Sequence, residues 1–347
     1  MKHDTVIALD LAKHSFQACT LKNNKTQRNR AYTRAQLTAM LSKHPACVVA
    51  MEACGSAHYW ARTVETMGHK PVIIAPKIVA AFRLGHKTDH NDAEAIGAAL
   101  SHPGLKTVTP KSTEQQGLQS IERIREHMQD QRTATSNLIR ALIFEFGITI
   151  TKGFAGLRAA IPLILEDAEN EIPMPLRDEL SELWQAYLSL TQRFQALEAR
   201  RDKLIKQHPS CAKLMKLEGV GPVNALHLYL MLGTNGGNFA SGREAAACVG
   251  VTPKQFSTGG KVVMGGIGKR HGKRQQRSNL IQGARSVLQK LQKREPVNQK
   301  EAWLKAMMQR RGFGIASVGL ANKTVRTAWA MLRHGEEYHR PTLLVSA

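Results

Sequence analysis

The order of strand-length and helix-length patterns in the first hundred residues most narrows the folds open to this chain. Residues 5 to 10, Ser15 to Leu21 and Gln27 to Tyr32 read as strands, with Asn23-Asn24-Lys25 as a turn. They form a meander. A short helix follows from Thr33 to Ser42, N-capped by Thr33. Next come a strand ending at Glu52, a helix from about Ser56 to Met67, the strand Pro71 to Ala75, and helices to about Ser101. Three strands followed by alternating helix and strand predict a mixed sheet, with the first strand central and the fourth beside it. Asp10, which closes Thr5-Val6-Ile7-Ala8-Leu9, then neighbours Glu52, which closes Cys47-Val48-Val49-Ala50-Met51.

Asp89 and Asp92 stand three apart at the start of a helical pattern, so they share one helix face. Taken singly, each acid has an ordinary use: an Asp at a strand end caps a turn, and Asp89 can N-cap its helix. Together, Asp10, Glu52, Asp89 and Asp92 offer hard oxygen ligands suited to Mg2+ or Mn2+. Two such ions about 4 Å apart can clamp the attacking and leaving oxygens of a phosphodiester. Glu94, two residues beyond Asp92, points away and reads as solvated. The element order is that of an α/β ribonuclease-H-like domain.

The partner is legible in the charge. The 347 residues carry a formal net charge of +22, which predicts attraction to a polyanion such as DNA or RNA. Basic residues number 14 against 7 acidic over residues 1–110, 12 against 14 over 111–205, and 23 against 6 over 206–347. The polyanion's main seat is therefore expected in the C-terminal part. The five cysteines, Cys19, Cys47, Cys54, Cys211 and Cys248, include no C-x-x-C pair and lie mostly in apolar sequence. They read as buried free thiols in a reducing cytosol. No signal peptide is visible, and no apolar stretch approaches the ~18 residues of a membrane span.

Residues 111–205 change character. Leu118, Ile121, Ile124, Met128, Leu138 and Leu142 have heptad-like spacing, and a second run extends from Leu176 to Ile205. Two long paired helices, as an antiparallel coiled coil or helical arm, are expected, with a plain helical subdomain as the alternative. Beyond them, Leu214-Met215-Lys216-Leu217-Glu218-Gly219-Val220-Gly221-Pro222 sets a G-V-G turn between two helices, the helix-hairpin-helix pattern. Gly219 and Gly221 would let backbone approach a phosphate closely, unless the turn is an ordinary helix corner. Ser257 and Thr258 precede Gly259-Gly260-Lys261 in what reads as an exposed, flexible, cationic loop. Chemistry alone favours a simple turn there, because a free hydroxyl is a poor nucleophile until metal or a base activates it. Lys261, Lys269, Arg270, Lys273, Arg274 and Arg277 read as backbone-phosphate contacts.

At these residues the chain resembles the DEDD-type insertion-sequence transposases, serine recombinases guided by a bridge RNA, and the likeness runs nearly end to end. It is carried by Ile7-Ala8-Leu9-Asp10, Met51-Glu52-Ala53-Cys54-Gly55 and Lys87-Thr88-Asp89-His90-Asn91-Asp92-Ala93. In the C-terminal half it is carried by Gly219-Val220-Gly221-Pro222 and by Gly250-Val251-Thr252-Pro253 through Ser257-Thr258-Gly259-Gly260-Lys261. The resemblance implies a RuvC-like catalytic domain (1–110), a coiled-coil arm (111–205) and a mainly α C-terminal transposase domain (206–347). It also implies a serine that attacks DNA to form a covalent 5′-phosphoserine, a structured RNA pairing with target and donor DNA, and a dimer or tetramer. In that assembly the carboxylates of one subunit face the serine of another. Ser257 aligns with the serine of members carrying S-S/T-G-G; Thr258 would align with members carrying a single serine. Where relatives carry I-S/T-K-R-G, this chain has Ile267-Gly268-Lys269-Arg270-His271-Gly272, which loses a hydroxyl and gains a residue.

The expectation is a Mg2+-dependent recombinase of the prokaryotic cytoplasm, associated with the nucleoid, in which Ser257 attacks and the quartet activates the phosphate. Two alternatives stand beside it: a RuvC-like Holliday-junction resolvase or nuclease that uses water, and a non-catalytic nucleic-acid-binding protein. The sugar-kinase variant of the fold would need glycine-rich phosphate loops near the first strand.

Overall fold

Strands β1 (Thr5–Leu11), β2 (Ser15–Lys22) and β3 (Lys25–Thr33) form the antiparallel meander. The computed structural model describes residues 5–267 and 274–339. Asn23 and Asn24 adopt positive φ of 52° and 63° in the turn between β2 and β3, the conformation a tight two-residue hairpin demands. Helix α1 (Arg34–Lys43) opens on a capping box in which the Thr33 hydroxyl accepts from the Gln36 amide and the Gln36 side chain accepts from the Thr33 amide. Then come β4 (Val48–Glu52), α2 (Ala57–Thr66), β5 (Lys70–Ile74), α3 (Pro76–Phe82), α4 (Asp89–Leu100) and β6 (Thr107–Val108). The sheet order is β3-β2-β1-β4-β5-β6, with β4 parallel to β1, β5 parallel to β4, and β6 antiparallel to β5. The first strand is central and the fourth is its neighbour, as the element order predicts. The β6 strand has two residues, too few to leave a pattern.

Side-chain alternation splits the core of this unit in two. Ile7, Leu9, Val49 and Met51 point to the face covered by α1 and α2, where Leu37, Leu41, Trp60 and Val64 are buried. Ala8 and Ala50 point to the opposite face, against Val79 of α3 and Ala93, Ile96 and Ala99 of α4. Small residues let α4 come close: a Cβ on Gly97 would stand 2.7 Å from Leu21 Cδ1.

The chain divides into two compact units, Met1–Gln115 and Gln116–Ala347. In the second, the long helices α5 (Thr113–Phe144) and α7 (Met174–Gln207) run antiparallel, since Glu122 meets Arg201 while Arg132 meets Thr191 and Phe194. The two-helix expectation omits a third, α6 (Phe154–Glu166). Leu157 and Ile161 of α6 close an apolar cluster with Ile139, Ile143, Trp184 and Tyr187. The long helices bury that stripe only because α6 covers it.

The remaining elements are α8 (Pro209–Leu214), α9 (Pro222–Leu232), α10 (Gly242–Val249), β7 (Pro253–Thr258), β8 (Lys261–Ile267), α11 (Arg274–Leu291), α12 (Gln299–Arg311) and α13 (Phe313–His334). The core gathers around α13, whose buried Ala316, Leu320, Ala321, Val325, Ala328 and Met331 recur at helical spacing. Among the described residues, no helix is long and apolar enough to cross a membrane. None of the five cysteines is disulfide-bonded, but the expectation of burial fails for Cys54 and Cys248, which are exposed. Cys54 lies beyond the end of β4, where the chain turns out of the sheet.

Candidate active site

Asp10 is two residues on from Ala8 in β1, and Glu52 two on from Ala50 in β4, so both carboxylates take the face on which α4 packs. Their strands are hydrogen-bonded in parallel with Leu9 opposite Met51, which sets the two acids side by side at the C-terminal ends of adjacent central strands. Asp89 and Asp92 occupy the first turn of α4, on the stripe that continues into the buried Ala93 and Ile96. The helix is capped by Thr88, whose hydroxyl accepts from the Asn91 amide; Asp89 is thereby spared that task. The Asp92 amide donates to the Thr88 carbonyl at 2.8 Å.

The electrostatics record this convergence. Burial, reinforced by the charges of Asp89, Asp92 and Glu52, pushes the Asp10 carboxyl up to about 6. Burial and then Asp92 also raise Glu52, against the opposing pull of Lys87 and Arg83. Like charges held together in a partly dehydrated site favour a proton or a cation between them. Glu94 stays outside this set: it pairs with His90 at 3.6 Å and accepts from Thr26 at 3.3 Å. Its solvated reading stands in part, with those two partners added.

An all-oxygen donor set under mutual repulsion fits a hard divalent ion, and Asp10, Glu52, Asp89 and Asp92 are the residues that would hold it. No three of them bring their ligand oxygens within 4.8 Å of one another; among the described residues Glu122, Glu126 and His227 do. Glu122 is nonetheless already neutralised, by Arg125 at 2.8 Å and Arg201 at 3.2 Å, and a cation there would have to displace two guanidinium groups. Within the quartet, Asp92 is bound by Arg83 at 3.0 Å. Arg83 and Lys87 are the site residues that the sequence reading passed over. Their signal is the pair of cations, Arg83 and Lys87, within the six residues ahead of Asp89.

Ser257 and Thr258 lie in the second unit, and not in a flexible loop. They end β7, which pairs with β8 in a hairpin: Ser257 is opposite Val262 and Thr258 opposite Lys261. Gly259 and Gly260, at φ of 55° and 77°, make the turn; two glycines in the left-handed region close a hairpin where other residues would strain. Phe256, Val262 and Val263, residue types that favour strands, flank it. The whole of β7 is exposed, and Gln255 Nε2 donates to Ser257 Oγ at 3.4 Å. Lys261 is likewise exposed, whereas Lys269, Arg270 and Lys273 lie outside the described residues. Arg274 and Arg277 open α11. Gly221 caps α9 with open space where its Cβ would be, while Gly219, at φ 74°, faces the backbone of Gly283.

A family model described as "Transposase", of the DEDD type, matches residues 7–147, and one described as "Transposase IS116/IS110/IS902 family" matches residues 211–298. A Pseudomonas aeruginosa protein named "Probable family 20 transposase" is 37% identical, over 96% of this chain and 98% of its own length. The transposase for insertion sequence element IS1328 of Yersinia enterocolitica is 33% identical over 98% of this chain and all of its own. That for IS1111A of Coxiella burnetii is 34% identical over 97% and 92%.

Proposed function

This chain belongs to the IS116/IS110/IS902 family of insertion-sequence transposases, and from that premise we propose that it cuts and rejoins DNA through a serine-linked intermediate. Asp10, Glu52, Asp89 and Asp92 hold Mg2+ or Mn2+, which supplies charge neutralisation at the scissile phosphate when bound. The observation that carries the metal half of the reading is geometric: Asp10 and Glu52 end adjacent parallel strands, and Asp89 and Asp92 open the helix packed on the same face. Ser257 Oγ attacks phosphorus and forms the Oγ–P bond as the P–O3′ bond breaks; the hydroxyl proton passes, overall, to the leaving 3′ oxygen, giving a 3′ hydroxyl and a 5′-phosphoserine. One phosphodiester is exchanged for another, so a 3′ hydroxyl from a second strand reverses the step without ATP.

Several finer features belong to the same proposal. The helices α5 and α7 serve as a coiled-coil arm between domains bounded at about 110 and 205, and the α8–α9 turn as a helix-hairpin-helix. A structured bridge RNA pairs with target and donor DNA, and the protein works in the cytoplasm as a dimer or tetramer. Support for a C-terminal polyanion seat comes from the 23 basic and 6 acidic residues beyond position 205.

The test is to trap the protein on target and donor DNA with its RNA and Mg2+, then separate covalent adducts under denaturing conditions. Wild type and Thr258→Ala are expected to form the adduct, and Ser257→Ala none. An adduct that survives Ser257→Ala removes that nucleophile, and cut DNA without any adduct replaces the serine with water.

A further inference from the structure

Helix α11 holds no carboxylate in its 18 residues, from Arg274 to Leu291. One side, formed by Gln276, Leu280, Ala284, Leu288 and Leu291, is buried. The other side presents Arg274, Arg277, Ser278, Ile281, Gln282 and Arg285, which together line a shallow concavity. These positions follow i, i+3/4, i+7/8 and i+11, a single stripe along the helix. Eleven residues of helix rise about 16 Å, close to five base-pair steps of duplex at ~3.4 Å each. Arg285 lies over the Phe313 ring at 5.2 Å; a guanidinium held by its face keeps its in-plane donors for an anion.

The stripe is seated by a backbone-to-backbone contact. A Cβ on Gly219 would stand 2.5 Å from the Gly283 carbonyl oxygen, and a Cβ on Gly283 would collide with the Gly219 carbonyl. Asn224 Nδ2 donates to both Gly219 O, at 3.2 Å, and Asn279 O, at 3.1 Å. Gly219, expected to bring backbone near a phosphate, is thus taken up by the docking of α11. Its turn fixes the helix that carries the arginines.

We propose that this face of α11 is a backbone track for duplex DNA, with Arg274, Arg277 and Arg285 neutralising phosphates and Ser278 and Gln282 donating between them. The inference rests on the transposase reading and adds the surface on which the duplex lies. Cations three and eight residues apart on one helix face reach phosphates of the backbone and carry no base preference.

The experiment measures binding of the full chain to a random-sequence 30-bp duplex across a salt series. Combining Arg274→Gln, Arg277→Gln and Arg285→Gln is expected to reduce the slope of log affinity against log salt by about 3 and to weaken binding at least tenfold near 0.1 M salt. The loss should be equal on scrambled sequences, and lysine at all three positions should restore the slope. Neutralising Lys293, Arg310 and Arg311 instead should cost much less. Failure of lysine to restore the slope, or equal loss from the control triplet, overturns the assignment. A wild-type slope and affinity in the glutamine variant removes the track and leaves the transposase reading standing. Wild-type protein that binds no duplex DNA at all sinks both. Structured RNA run in parallel should lose less affinity than the duplex; the reverse order also overturns the proposal.

Discussion

Asp10→Asn should lower DNA cleavage by about a hundredfold or more while making the metal-free N-terminal unit more stable. The two effects have one cause. Asp10 is forced among Asp89, Asp92 and Glu52 in a half-buried position, and its carboxyl is raised from 3.8 to about 6. The folded state therefore holds the proton more tightly than the unfolded chain does. Its contribution to stability is fully present below about pH 4 and is lost as pH rises through about 6. The full shift corresponds to about 3 kcal/mol, and solvent screening of a half-exposed group brings this to about 1–2 kcal/mol. Asparagine removes the charge but keeps the shape, so the variant should gain that amount at neutral pH and nothing near pH 4. Urea unfolding in EDTA across that range, followed by fluorescence of the buried Trp60, measures it. Equal stability of variant and wild type at pH 7 would mean that the acids do not converge as described. Added Mg2+ should reverse the ranking, because only the wild type gains a full set of ligands.

Glu122→Ala should destabilise the second unit by about 3–5 kcal/mol, the largest loss expected from one side chain. The Glu122 side chain is 4% exposed and binds Arg125 and Arg201, themselves 10% and 3% exposed. Removing the carboxylate takes the one fully buried counter-charge from two buried guanidinium groups and leaves them only the more exposed Asp202 and Glu198. Arg201 keeps Asp202 at 2.6 Å and a longer contact to Glu198 at 3.8 Å; Arg125 keeps Glu198 at 3.6 Å. A cost well under 1 kcal/mol in denaturant titration would place the network with ordinary surface pairs. Comparing Glu122→Ala, Arg201→Ala and the double variant isolates the pair: the double variant should cost clearly less than the sum of the single ones.

Most of the N-terminal unit is legible in the sequence. Alternation of period two put Asp10 with Ala8 and Glu52 with Ala50, and spacing of three put Asp89 and Asp92 on one helix face. The strand boundaries moved by one or two residues, as fraying ends do. The hairpin at Ser257 was missed because turn residues and a cationic character hid strand-forming Phe256, Val262 and Val263. Helix α6 is not legible because it is a short apolar segment between two much longer heptad-like runs.

The sequence by itself determined the element order, the four candidate carboxylates and the concentration of positive charge beyond position 205, because each follows from local periodicity or composition. Tertiary structure alone decided which partners the charges take: Arg83 on Asp92, Arg201 on Glu122, and the Gly219–Gly283 contact that seats α11. The last two join residues more than sixty positions apart. No local pattern encodes such a pairing, since it exists only once separate helices have been packed against a shared core.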